Sequence, residues 1–161
     1  MTPKTGTIAL DNIGLNVSDL DISEAFYQEV FGLRVAEESL QLPRRFASMA
    51  RGGKTVLTLW EHGGGQLEQC SRGLHHLTFE ADSVEEVNRT KGILDNLGAR
   101  WFEAGGLHHE GSKTAAIYFA DPDGTRIKVY NAGRLDPGLE EDTRAGLATG
   151  TAELPTFCRV S

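Results

Sequence analysis

His76 is the first residue to weigh, because an imidazole can take or give a proton near neutral pH. Read functionally, it is a general acid or base, with Asn12 orienting it and Lys128 supplying charge. Read blandly, it is a neutral histidine with its hydrogen bonds satisfied. Lys128 can bind an anion, polarise a carbonyl or act as a base of depressed pKa. Its bland alternative is an ion pair with Glu80 or another carboxylate on the same face. Trp60, Tyr118 and Tyr130 can stack on a planar ligand, or can fill a sheet surface or a dimer contact. His75, His108 and His109 invite a metal centre with His76, but neighbouring residues on a strand point to opposite faces. Cys70 near His75 suggests a nucleophile pair, yet no oxyanion motif accompanies it, and an inert thiol fits better. Glu110-Gly-Ser-Lys113 is too short for a phosphate-binding loop.

These side chains need strands and helices to hold them, and the chain contains the same arrangement twice. Ile13, Leu15 and Val17 alternate with Asn12, Gly14 and Asn16, which predicts a strand with one apolar face. Asp19 or Asp21 can cap the helix that follows. Ile22, Phe26, Tyr27, Val30 and Phe31 form its apolar stripe, and Gly32 ends it. Strands are expected near Phe46–Ala50 and Thr55–Trp60, joined by a hairpin at Arg51-Gly-Gly-Lys54. The run from Gly63 to Arg72 reads as a linker. The second copy has Leu77 and Phe79 alternating with His76, Thr78 and Glu80. Ser83 or Asp82 then caps a helix with Val84, Val87, Lys91, Leu94 and Leu97 on one face, closed by Gly98. A short strand at Arg100–Glu103 precedes strands at Thr114–Ala120 and Thr125–Asn131, joined by Asp121-Pro-Asp-Gly124. Each copy is thus βαβββ. Residues 133–161 show no period and read as a tail with a short helix near Glu140–Leu147, anchored by Phe157.

Alternation then assigns one face of each strand. Asn12 and Asn16, Thr58 and Trp60, His76 and Thr78, Tyr118, and Arg126, Lys128 and Tyr130 share the polar side, with Arg126 near enough to a strand end to reach water. Leu57, Leu59, Leu77, Phe79, Ile117, Phe119, Ile127 and Val129 face the helices.

Composition bounds the possibilities. At 161 residues, the chain is long enough for one domain with a real core. A formal charge of −7 and no Lys/Arg cluster argue against nucleic acid as a partner. No apolar run is long enough to span a bilayer, and the start lacks the apolar segment of a signal peptide, so no membrane partner is expected. Cys70 and Cys158 match no zinc or redox spacing, which fits a reduced, cytoplasmic setting.

Four segments, in order and spacing, carry a resemblance: Asn12-Ile-Gly-Leu-Asn-Val-Ser-Asp19, Phe26-Tyr-Gln-Glu-Val-Phe-Gly-Leu33, His75-His-Leu-Thr-Phe79 and Asp121-Pro-Asp-Gly124 before a strand. Over about residues 8–131 the chain resembles the vicinal oxygen chelate superfamily, which includes glyoxalase I, extradiol dioxygenases and bleomycin-resistance proteins. The resemblance implies an α+β fold: two tandem βαβββ modules, 1–72 and 73–132, forming a cup-shaped mixed sheet with helices outside and a tail at 133–161. It implies a ligand in the concave cup and a homodimer. The family's four metal-ligand positions fall on Asn12, Thr58, His76 and Lys128. Amide and hydroxyl oxygens are poor ligands for a divalent ion. An ammonium at about 4 Å from a dication would be repelled by about 8 kcal/mol at an effective dielectric near 20. The expectation is therefore no metal cofactor, with a relocated Zn, Fe, Mn or Ni as the alternative. The function expected is sequestration of a small organic molecule, as in the bleomycin-resistance branch, using Asn12, Asn16, Thr58, Trp60, Thr78, Tyr118 and Tyr130. The alternative is a lyase, isomerase or ring-cleaving dioxygenase. It would act without metal through His76 and Lys128, or with a relocated metal.

Overall fold

A computed structural model describes residues 9–42, 44–62, 74–103 and 115–131. The chain divides into two compact units, Met1–Gln66 and Leu67–Ser161, and the described residues of each form an α+β module of one helix and a four-stranded mixed sheet. The linker from Gly63 to Arg72, with Cys70, lies outside the described residues. So do His108, His109, Glu110-Gly-Ser-Lys113, and the tail with its expected helix, Cys158 and Phe157.

In the first unit β1 is Ile13–Val17, α1 Leu20–Phe31, β2 Arg34–Ser39, β3 Phe46–Arg51 and β4 Lys54–Glu61. The sheet runs β1-β4-β3-β2, with β1 parallel to β4 and the other pairs antiparallel. Helix α1 covers one face. Leu20, Phe26, Tyr27, Val30 and Phe31 are buried there with Leu15, Leu57 and Leu59. Each such side chain stabilises the fold by roughly 1.5–3 kcal/mol of apolar burial. The stripe differs from expectation at one position. Ile22 is 55% exposed and Ser23 is buried instead, because the buried rows run through 20, 23, 27 and 30–31 and Ile22 falls outside them. Asp19 is the cap, its Oδ1 accepting from Ile22 N at 3.0 Å. Gly32 ends the helix in the left-handed region at φ 62°, where a Cβ would be strained. Gly52 and Gly53 form the two-residue hairpin loop of β3–β4, both at positive φ, which matches the twist of paired strands.

The second unit repeats the plan with β5 Leu77–Glu80, α2 Val84–Asn96, β6 Trp101–Glu103, β7 Ala115–Ala120 and β8 Arg126–Asn131, in the order β5-β8-β7-β6. Ser83 is the cap of α2. Val87, Thr90 and Leu94 are its buried face, and Thr90 satisfies its hydroxyl on Glu86 O at 2.9 Å. Lys91 and Leu97 are not core residues, contrary to the periodicity. Lys91 pairs with Glu103 at 2.8 Å and lies over the Trp101 ring, while Leu97 sits past the last turn, 48% exposed. The turn before β8 is held by Asp121, whose Oδ1 accepts from Asp123 N and Thr125 N. At the far end Asn131 Nδ2 donates to Ala81 O and fastens β8 to the chain leaving β5. The two clamps fix where Arg126, Lys128 and Tyr130 stand.

Candidate functional site

Each unit presents a polar sheet face opposite its helix. In the first, strand register places Gly14 beside Thr58 and Asn16 beside Trp60 on β1 and β4. Thr58 Oγ1 donates to Asn12 Oδ1 at 3.4 Å, and Asn12 Nδ2 donates to Asp11 Oδ2. The Asn12 amide oxygen thus already accepts a hydrogen bond, and Thr58 is 9% exposed. Trp60 keeps 38% of its surface. Its ring packs on Phe46 with centroids 4.9 Å apart, and its indole nitrogen lies over Gly14, 3.6 Å from where a Cβ would stand. Phe46 joins this face because β3 register sets it opposite Trp60. Asn16 is exposed.

In the second unit Thr78 stands beside Lys128, Glu80 beside Tyr130, and Tyr118 across from Lys128. Lys128 Nζ lies 5.6 Å from the centroid of Tyr118 and 5.4 Å from that of Tyr130. Ring faces carry negative potential and attract the ammonium. Among the described residues it makes no ion pair, so the pairing with Glu80 does not occur there. His76 meets Tyr118 edge-on at 6.2 Å. Burial holds the His76 imidazole below its ordinary pKa, helped by His75, Lys128 and Arg126, which favours the neutral ring.

Two residues here escape the alternation rule. His75 and His76 precede the first ladder pair, Leu77–Ile127, so they are not held to opposite faces, and their Nδ1 atoms lie 2.7 Å apart. Arg126 is half-buried rather than free in water, with Nη1 3.3 Å from His75 Nε2. The signal in the sequence is the same-face spacing of Arg126 and Lys128 on a strand parallel to the one after His76.

A divalent metal does not fit these groups. Among the described residues no cluster of three His, Cys, Asp or Glu could hold one. An amide oxygen shared with a hydroxyl, and an ammonium, are the wrong donors for it.

Comparison with known proteins agrees with the architecture. The family model described as Glyoxalase/Bleomycin resistance protein/Dioxygenase superfamily matches residues 9–129. The lactoylglutathione lyases of Salmonella typhimurium (strain LT2) and Salmonella typhi are each 28% identical over 130 residues, 78% of this chain and 93% of theirs. A glyoxylase/bleomycin resistance protein/dioxygenase domain from Frankia sp. EAN1pec superposes with TM-score 0.66 at 24% identity, over 81% of this chain and 95% of that one. The fosfomycin resistance protein FosX of Listeria monocytogenes, in its monoclinic form at pH 5.75, gives 0.64 at 23%, over 84% and 99%. At such identities the two structures speak for the fold alone.

Proposed function

The chain belongs to the glyoxalase/bleomycin resistance protein/dioxygenase superfamily, and from that premise we propose that it binds a small organic anion without a metal at the family's usual place. The observation that carries this reading is the Lys128 ammonium between the Tyr118 and Tyr130 rings, with no ion pair among the described residues. A cation on a half-buried face is best satisfied by a ligand's negative charge, and the flanking rings offer apolar area to the ligand's body. Trp60 on Phe46, with Asn16, Asn12 and Thr58, gives the first unit a comparable aromatic and amide surface. Thr78 adds a hydroxyl beside Lys128. Sequestration, as in a bleomycin-resistance protein, is the form of binding that needs no more than these groups. A homodimer and a cytoplasmic setting belong to the same reading.

The test uses benzoate as the anionic aromatic probe and benzamide as its neutral isostere, titrated into labelled protein and followed by NMR. Benzoate is expected to shift the Lys128, Tyr118 and Tyr130 signals and to bind at least about tenfold tighter than benzamide, a difference of about 1.4 kcal/mol. Lys128→Met is expected to erase that preference. Equal binding of the two probes, or a preference that survives Lys128→Met, contradicts the reading.

The second reading is catalysis, favoured by the neutral His76 beside Lys128: a proton donor or acceptor next to a fixed charge can assist proton transfer on a carbonyl compound. A His76→Ala variant that keeps benzoate binding but loses turnover of such a compound would support it.

A further inference from the structure

We infer that Arg126 and His75 form a relay that fixes which nitrogen of His76 carries its proton, and so presents His76 to a ligand as a hydrogen-bond donor. A guanidinium has N–H groups and no acceptor. Arg126 Nη1 stands 3.3 Å from His75 Nε2, so that nitrogen must accept. A neutral His75 accepting at Nε2 carries its proton on Nδ1. Nδ1 then donates across 2.7 Å to His76 Nδ1, which must in turn accept. The proton of His76 is left on Nε2.

The other assignments fail. If His76 donated to His75, His75 would accept at both nitrogens and would have to be an imidazolate. If His75 were cationic, its Nε2–H would face the Arg126 N–H. If His76 were cationic, two N–H groups would meet at 2.7 Å. Only the chain running from Arg126 Nη1 to His75 to His76, with both rings neutral, pairs a donor with an acceptor at both contacts. The contact exists because β5 starts at Leu77, which frees the two histidines from strand alternation.

The consequence is chemical. Neither nitrogen of His76 has a lone pair to spare, since Nδ1 is occupied and Nε2 is protonated. His76 is thus suited neither to metal ligation nor to proton abstraction. It offers an N–H instead. Tyr118 borders both His76 and Lys128, with the imidazole edge-on to its ring and the ammonium 5.6 Å from its centroid. The second unit therefore carries two donors on one face, one charged and one neutral. The class of ligand that fits is an organic oxyanion, or a carbonyl oxygen beside one. This part rests on the anion reading proposed above. Arg126 and His75 act through His76 and are positioning residues. In the catalytic reading, the relay restricts His76 to donating a proton.

The tautomers are read directly by long-range proton–nitrogen NMR correlation of ¹⁵N-labelled protein at pH 8, without any ligand. His76 is expected as the Nε2–H form and His75 as the Nδ1–H form. His75→Phe and Arg126→Met should each turn His76 into a mixture of both tautomers, while Arg126→Lys, which keeps a donor, should retain the Nε2–H form. His75→Phe should also weaken benzoate by roughly tenfold, the loss of one well-placed donor geometry. An Nδ1–H form of His76 in the native protein overturns the relay. So does a His76 tautomer unchanged in both Arg126→Met and His75→Phe. If His75→Phe does not fold, the native spectrum and Arg126→Met decide. Expected tautomers with no benzoate binding would overturn the anion reading and leave the relay standing.

Discussion

The anion binding proposed above turns on Lys128. Its place on the polar face was legible from alternation in β8, and its charge is legible from its type. Its surroundings were not: the expected partner, Glu80, lies two register pairs further along, beside Tyr130, and the ammonium rests against aromatic rings instead. His76 has a second, independent consequence. Its imidazole is held below the ordinary pKa by burial first, then by His75, Lys128 and Arg126, whereas in the unfolded chain it titrates near 6.5. Between those two values the unfolded chain binds a proton that the native protein refuses. Stability contributed at this position is therefore unaffected above about pH 7 and falls as the pH drops through 6.5. Melting temperature measured from pH 8 to 5.5 should fall more for the native protein than for His76→Gln. Parallel curves would contradict the assignment. The contact between His75 and His76 was not legible, because it depends on β5 starting one residue later than its alternating pattern begins.

At the scale of elements, helices and strand hairpins were the most readable features, since caps, glycines and apolar periods all agree there. The choice between Asp19 and Asp21 was not readable, as both precede the apolar stripe. In the fold Asp19 caps α1, while Asp21, 76% exposed, pairs with Arg45 at 3.0 Å. Arg45 keeps a better partner in Glu61 at 2.7 Å, and Glu61 also accepts from Leu20 N at the start of α1. Asp19→Ala should thus cost about 1 kcal/mol in urea unfolding, the usual value of a lost N-cap. Asp21→Ala should stay within about 0.5 kcal/mol, as exposed ion pairs do. Equal losses would contradict this account of the helix start. The strand that carried no clear signal is β2, Arg34–Ser39. It is an edge strand whose side chains are mostly exposed, and a register shift between Val35 and Glu37 breaks its period. The role of Glu61 was hidden for a different reason: it joins the end of β4 to a helix forty-one residues earlier, which no local pattern encodes.

For the molecule as a whole, the internal repeat was the strongest signal, and the two βαβββ units it implied are present with the same strand order. Repetition of the plan does not extend to the chemistry. The first unit's polar face is amide, hydroxyl and indole, and the second's is imidazole, ammonium and phenol. Among the described residues no helix is long and apolar enough to cross a membrane. The proposed function rests on Lys128, Asn12 and Thr58: an ammonium, an amide and a hydroxyl are poor groups for a divalent ion, and the ammonium favours an organic anion. The most direct test is to titrate protein purified without chelators with Zn, Mn, Fe and Ni, by elemental analysis and calorimetry, with and without benzoate. Less than stoichiometric metal is expected, with benzoate affinity unchanged by EDTA. One equivalent of a divalent metal per chain, lost on His76→Ala and required for binding benzoate, would contradict the proposed function.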